Sequence, residues 1–219
     1  MKLNEVVNKK IVMQDDIERE IRDAEAQGRM ADFSNRIIKS FFILRDKIKY
    51  GITFENSEIK GQFFLGEISI EGDLILKNTK VNGSVYLARI KVDGNLNLEE
   101  LKSGGAINLV GAEIGKNLLA QRLKSQGFLS LAKTQIGGSI ILDQVKIENT
   151  ITKFDKMSIQ GDLILEGSKT LGNVNIRDSK IDGLLDLDEI SVGKDLILVG
   201  TVYKKLEASA MEIKGDQVE

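Results

Sequence analysis

Five acidic residues crowd the stretch from 178 to 189: Asp178, Asp182, Asp186, Asp188 and Glu189. Carboxylates this close are the raw material of a calcium site, or of the acid pair that cleaves a glycosidic bond. The Gly-Gly-x-Gly-x-Asp run of calcium-binding β-rolls is absent, and acids on solvated turns are ordinary, so they read as surface charge. Gly115-Lys116 and Gly193-Lys194 lack the spaced glycines of a phosphate-binding loop. Asn95 and Asn117 stand 22 residues apart, with Asn97 and Asn108 between them. They read as side chains that hydrogen-bond between stacked layers rather than as an ice- or sugar-binding face, because Thr is too scattered for the long ranks such a face needs.

Composition removes most other chemistry. The chain of 219 residues has no Cys, His, Trp or Pro. That excludes thiol nucleophiles, imidazole bases, Cys- or His-ligated metals and disulfides. No catalytic residue, cofactor or metal ligand is expected. A formal charge of −2 gives no bulk attraction to nucleic acid or anionic lipid. The first sixteen residues lack the apolar core of a signal peptide, and no apolar run approaches a bilayer span, so a cytoplasmic location is expected.

What must position any site is a repeat. Glycines at 61, 72, 83, 94, 105, 127, 138, 161, 172 and 183 fall mostly 11 residues apart or at multiples of 11. Units such as 73–83 (DLILKNTKVNG) and 173–183 (NVNIRDSKIDG) carry apolar residues at positions 2 and 4 and a β-branched residue at 9. Position 7 is small or apolar. Fifteen units start at 51, 62, 73, 84, 95, 106, 117, 128, 139, 150, 162, 173, 184, 195 and 205, with one residue extra in the unit at 150 and one missing from the unit at 195. Alternation at 2 and 4 is the mark of a short strand with one buried face. Inward positions 2, 4, 7 and 9 require a corner after 4 and another after 9. The glycine at 11 marks the second corner, where positive φ or a crowded backbone favours it. An 11-residue coil would enclose too thin a core, and Leu101-Lys-Ser103 recurs as Leu123-Lys-Ser125, 22 residues on. The expected fold is mainly β: a parallel β-helix of about seven and a half coils, 22 residues each, roughly 36 Å long.

The chained I-x-G-x-L-x-L segments, Ile70 to Leu76 and Ile159 to Leu165, resemble right-handed parallel β-helix proteins, most nearly the bactofilin-like, polymer-forming cytoskeletal group. The inward spacing also resembles that of pentapeptide-repeat proteins. The resemblance implies the handedness and a self-assembling structural role. The region after residue 50 is only mildly acidic, which argues against DNA mimicry.

Residues 14–50, within an N-terminal cap region of 1–50, follow another period. Ile17, Ile21 and Ala24, then Met30, Phe33, Ile37, Phe41, Leu44 and Ile48 after Gly28, recur at helical spacing. Two helices are expected, the first acidic and the second basic at its end, with 51–215 as the β-helix and 216–219 as a tail. Amphipathic helices would cap the first coil; self-association and docking on a membrane surface through 34–50 are the alternatives.

These features lead to a non-enzymatic structural or protein-interaction module, cytoplasmic and self-associating, with a homo-oligomer, in particular a dimer, or another protein as partner and no nucleic acid. The alternatives are a carbohydrate-active β-helix enzyme and a peripheral membrane scaffold. Two surfaces are candidate interfaces. One is the outward rank Leu119, Ile141 and Ile164, three apolar residues at position 3 of successive coils. The other is the last coil, where Met211 and Ile213 continue the inward register and only Asp216 to Glu219 follow.

Overall fold

The computed structural model describes residues 11–43, 45–149 and 151–218. Two units make one turn, and about nine turns stack into a parallel solenoid with one short helix near its N-terminal end. Every strand pairing is parallel, and most join residues 22 apart, as in Leu74↔Leu96 and Val81↔Ser103. Each turn has four faces. Leu74–Ile75 lies on the first, Lys80–Val81 on the second, Val85–Tyr86 on the third and Lys91–Val92 on the fourth. At the usual strand spacing, nine turns extend about 43 Å.

The inward positions are those the repeat requires. Leu74, Leu76, Thr79 and Val81 are all buried, and the same four positions line the core from coil to coil. The two corners of a unit work differently. At the first, position 6 is left-handed in every unit from 51 onwards, whether Asn78 (φ 50°), Arg89 (φ 55°) or Gly111 (φ 69°) occupies it. At the second, Gly127 does not have positive φ, yet a Cβ there would lie 2.6 Å from the Cα of Ala106 in the coil before. Crowding rather than backbone freedom thus selects glycine at most of these corners, Gly72 (φ 142°) being an exception, and the left-handed conformation sits where the sequence shows no fixed residue type.

The N-terminal region departs from expectation. Among the described residues one helix forms, α1 (Gln14–Ala26), ending where Gly28 takes φ 65° and the N–H groups of Gln27, Gly28 and Arg29 bond back to Ala24 and Glu25. The expected second helix is instead solenoid: Ala31–Asp32, Ile37–Ile38 and Lys47–Lys49 are strands that continue the ladders. Leu44, counted in that helix, lies outside the described residues. The reason is arithmetic. Eleven residues are three helical turns, so apolar residues repeating every 11 with gaps of 3, 4 and 4 satisfy both patterns. The solenoid therefore begins well before residue 51. It also runs past 215, because Gln217–Val218 pairs with Leu196–Ile197 where a tail was expected.

Before α1, Ile11–Val12 already pairs with Ile37–Ile38, and the helix then lies over the first turn with Ile17, Ile21 and Ala24 buried. Its acids meet the basic segment as complementary charge requires, although the partner is a coil rather than a helix. Glu20 pairs with Arg36, and Arg45 is held by Glu25 at 3.0 Å and Glu18 at 3.5 Å. Glu25 also accepts the backbone N–H of Lys49 at 2.8 Å. Beneath the helix the core is aromatic: Phe33 stacks on Phe54 (5.4 Å) and Phe41 on Phe63 (5.1 Å), the two pairs meeting edge to face.

The two length irregularities fall at corners. Thr152 and Phe154 take the inward positions of their unit, so the one-residue shift in register arises between Ile147 and Thr152. The missing residue lets Lys180–Asp186 and Val202–Glu207 run as long strands through a corner, with a register shift between Ile181 and Leu184, and so joins two faces into one sheet.

Candidate functional site

The five acids of residues 178–189 are dispersed. Asp178 occupies a left-handed corner, and Asp182 pairs with Lys180 at 2.8 Å. Glu189 is exposed at the next such corner. Only Asp186 and Asp188 meet, joined by Glu207 from the coil above, with one oxygen of each within 4.8 Å of the others. Three carboxylates at that separation are a chemically sensible cage for a hard cation. Their bonds are nevertheless those of turn-builders. Asp186 accepts the N–H of Asp188 at 2.9 Å, Asp188 accepts that of Ser209 at 2.6 Å, and Lys205 binds Glu207. Asp186 is buried although its position points away from the core. The local field is negative: desolvation and then Asp186, Asp143, Glu189 and Asp188 push the Glu166 carboxyl above its ordinary range.

The asparagines act between coils. Asn95 Oδ1 accepts the backbone N–H of Asn117 at 3.2 Å, and Asn117 Oδ1 accepts that of Ser139 at 2.9 Å. Asp73 does the same for Asn95. Asn97 and Asn108 lie on different faces and bond within their own turns, to the N–H groups of Glu99 and Val110. The glycines of Gly115-Lys116 and Gly193-Lys194 sit at crowded corners against Asp93 and Leu171.

The expected apolar rank is assembled as its spacing requires. Leu119 pairs with Ile141 and Ile141 with Ile164, with Asn97 before them and Asp186 after. Each of the three is half-buried rather than fully exposed. At the C-terminal end, Leu206, Met211 and Ile213 pack on the core but stay only partly covered, and Val202 and Val218 are exposed. Strand Glu212–Ile213 pairs with Ser191–Val192 on one side and is the outermost strand of its ladder.

A feature that the residue types alone do not reveal lies on the second face. Lys80, Lys102, Lys124, Lys146 and Lys169 stand one above another, adjacent Cα partners in five successive coils. The signal was present as lysine at position 8 of alternate units, but a charge balance summed over the chain hides it.

No protein-family model, curated protein or solved structure matches the chain. No helix among the described residues is long and apolar enough to cross a membrane.

Proposed function

We propose that the protein is a non-enzymatic structural module that associates with a second copy of itself through its C-terminal coil. The observation that carries this reading is the difference between the two ends of the described solenoid. At one end α1 covers the first turn, burying Ile17, Ile21 and Ala24. At the other, Glu212–Ile213 is the last strand of its ladder among the described residues and lies beside the partly covered Met211. An open ladder edge next to apolar side chains is a template for pairing. Lys204, Lys205, Glu207, Glu212 and Lys214 surround it with mixed charge, which narrows what can add. With one end covered, tail-to-tail association closes into a dimer, whereas the endless polymer implied by a bactofilin-like assembly needs both ends free. The rank Leu119, Ile141 and Ile164 is a second contact surface in this reading.

Light scattering on the full chain across a concentration series is the test. A mass of two chains is expected, falling to one in Met211→Lys/Ile213→Lys while the circular dichroism and melting cooperativity are kept. Ile141→Lys/Ile164→Lys reports separately on the lateral rank. A wild-type chain that stays monomeric at every concentration, or that forms filaments, overturns the dimer.

A further inference from the structure

The five stacked lysines are all exposed. Like charges directly opposite on neighbouring strands destabilise a sheet, and here the opposition is repeated four times at about 4.8 Å. The fold does not demand it. The fourth face, built from the same position of the alternate units, reads Ser69, Lys91, Glu113, Gln135, Ser158 and Lys180. Nor are the lysines neutralised. Lys80 reaches Glu58 at 3.3 Å, whereas among the described residues Lys102, Lys124, Lys146 and Lys169 form no ion pair. The rank ends where it meets Glu58 on one side and Ser191 and Glu212 on the other. Beside it runs a groove of about 350 Å³. Lys80, Lys102 and Lys124 line one edge, Asn82 and Gln126 the other, and Gly104, with no side chain, leaves the middle open; Glu148 also borders it.

We propose that this face is a docking track for a linear acidic polysaccharide bearing one carboxylate on each sugar. The charges form a single straight file, one per coil, which suits an extended polymer with a regularly repeated anion and a repeat close to the strand spacing. A membrane surface would be met better by a broad basic plane. A single-stranded nucleic acid would need aromatic or guanidinium platforms for its bases. The groove has no aromatic lining residue, and nearby Arg122 is held by Glu100 at 2.8 Å. The amides of Asn82 and Gln126, across the groove from the ammonium groups, are suited to hydroxyl groups between the carboxylates. This inference does not depend on the mode of self-association.

Titration of the full chain with a purified oligouronate, against the same oligomer methyl-esterified, isolates the charge. Binding is expected for the free acid, weakening steeply with added salt, and not for the ester. Lys102→Glu/Lys124→Glu/Lys146→Glu should lose binding by on the order of 100-fold or more, and Lys91→Glu on the fourth face should change it little. If the charge reversals unfold the chain, Lys102→Gln/Lys124→Gln/Lys146→Gln replaces them. That variant relieves repulsion, so it should melt no lower than wild type while still losing affinity. Equal binding of acid and ester, undiminished binding by the folded glutamine variant, or a preference for single-stranded DNA or for phosphatidylserine vesicles would each overturn the proposal.

Discussion

Thr79 and Thr134 both occupy position 7 of a unit and are both buried, but they differ in what their hydroxyls touch. Thr79 Oγ1 donates to the carbonyl of Phe54 at 2.7 Å, a bond that Ser57 and Ser179 repeat to Phe33 and Phe154. Thr134 Oγ1 has no partner. A buried hydroxyl that bonds contributes about 1 kcal/mol, while an unbonded one only costs desolvation. Thr79→Val is therefore expected to lower stability by about 1 kcal/mol and Thr134→Val to leave it unchanged or raise it, as read from urea unfolding midpoints. Charge at this scale gives a second expectation. The carboxyl of Glu166 is raised in the folded state, first by desolvation and then by neighbouring acids, so its contribution is favourable below the ordinary glutamate range and is lost as pH rises through the folded value. Glu100 has the opposite sign: its hydrogen bond from Arg122 lowers the carboxyl, and the stability it brings is lost as pH falls through the folded value. Glu166→Gln should raise the melting temperature at neutral pH, with the gain shrinking in acid, and Glu100→Gln should lower it at neutral pH. A gain for Glu166→Gln that persists unchanged in acid would remove the electrostatic explanation.

At the level of the element, the strand register and coil length were legible because burial enforces them. Leu74, Leu76 and Val81 must face inward, and a slip by one residue would turn every side chain to the wrong face. The corners were only half legible. Crowding against the preceding coil leaves little room for a side chain at the second corner, so glycine recurs at position 11 in most units, or one residue earlier as Gly115 and Gly193, and shows in the sequence. The left-handed residue at position 6 leaves no such mark, since Asn78, Arg89 and Lys133 all adopt φ between 50° and 61°. Its cost of about 1 kcal/mol is small against what a coil buries, so residue type drifts. The first two units escaped notice for a related reason. Position 7 holds Arg36 and Asp46 instead of a small or apolar residue, and no glycine directly follows Lys39 or Lys49, so neither marker of the repeat was present. The lysine file escaped because side chains 22 residues apart are neighbours only once the coil exists. The two kinds of corner can be separated by one substitution. Gly127→Ala places a Cβ 2.6 Å from both the Cα of Ala106 and the carbonyl carbon of Gly105, which must move backbone and should cost more than about 3 kcal/mol. Gly111→Ala meets only Arg89 Cγ at 3.4 Å and should cost about 1 kcal/mol through its backbone conformation. Equal losses in thermal melts would refute the distinction.

For the whole molecule, a solenoid is a stack whose members touch only their neighbours, so its ends decide what it does next. The interior coils are covered above and below. The first is covered by α1, attached by Ile17, Ile21 and Ala24 from inside and by the Glu20–Arg36 and Glu25–Arg45 pairs at the rim. These pairs are only about one-fifth exposed and share in holding the helix, but two charges placed in the buried apolar stripe would lie desolvated without partners and should release it. Ile17→Asp/Ile21→Asp is then expected to leave the body of the solenoid folded, because the remaining coils keep their own neighbours. It should expose the aromatic turn of Phe33, Phe41 and Phe54 together with its ladder edge. A chain with both ends open has a heterologous contact available, and such contacts propagate where a two-fold contact closes. The double variant should therefore grow with concentration into long species visible by electron microscopy, while the wild type is expected to stop at the proposed dimer. Adding Met211→Lys/Ile213→Lys to the same chain should abolish that growth, since one end of every contact is then charged. Polymers that survive the added C-terminal lysines would place the contact on the lateral rank of Leu119, Ile141 and Ile164 instead.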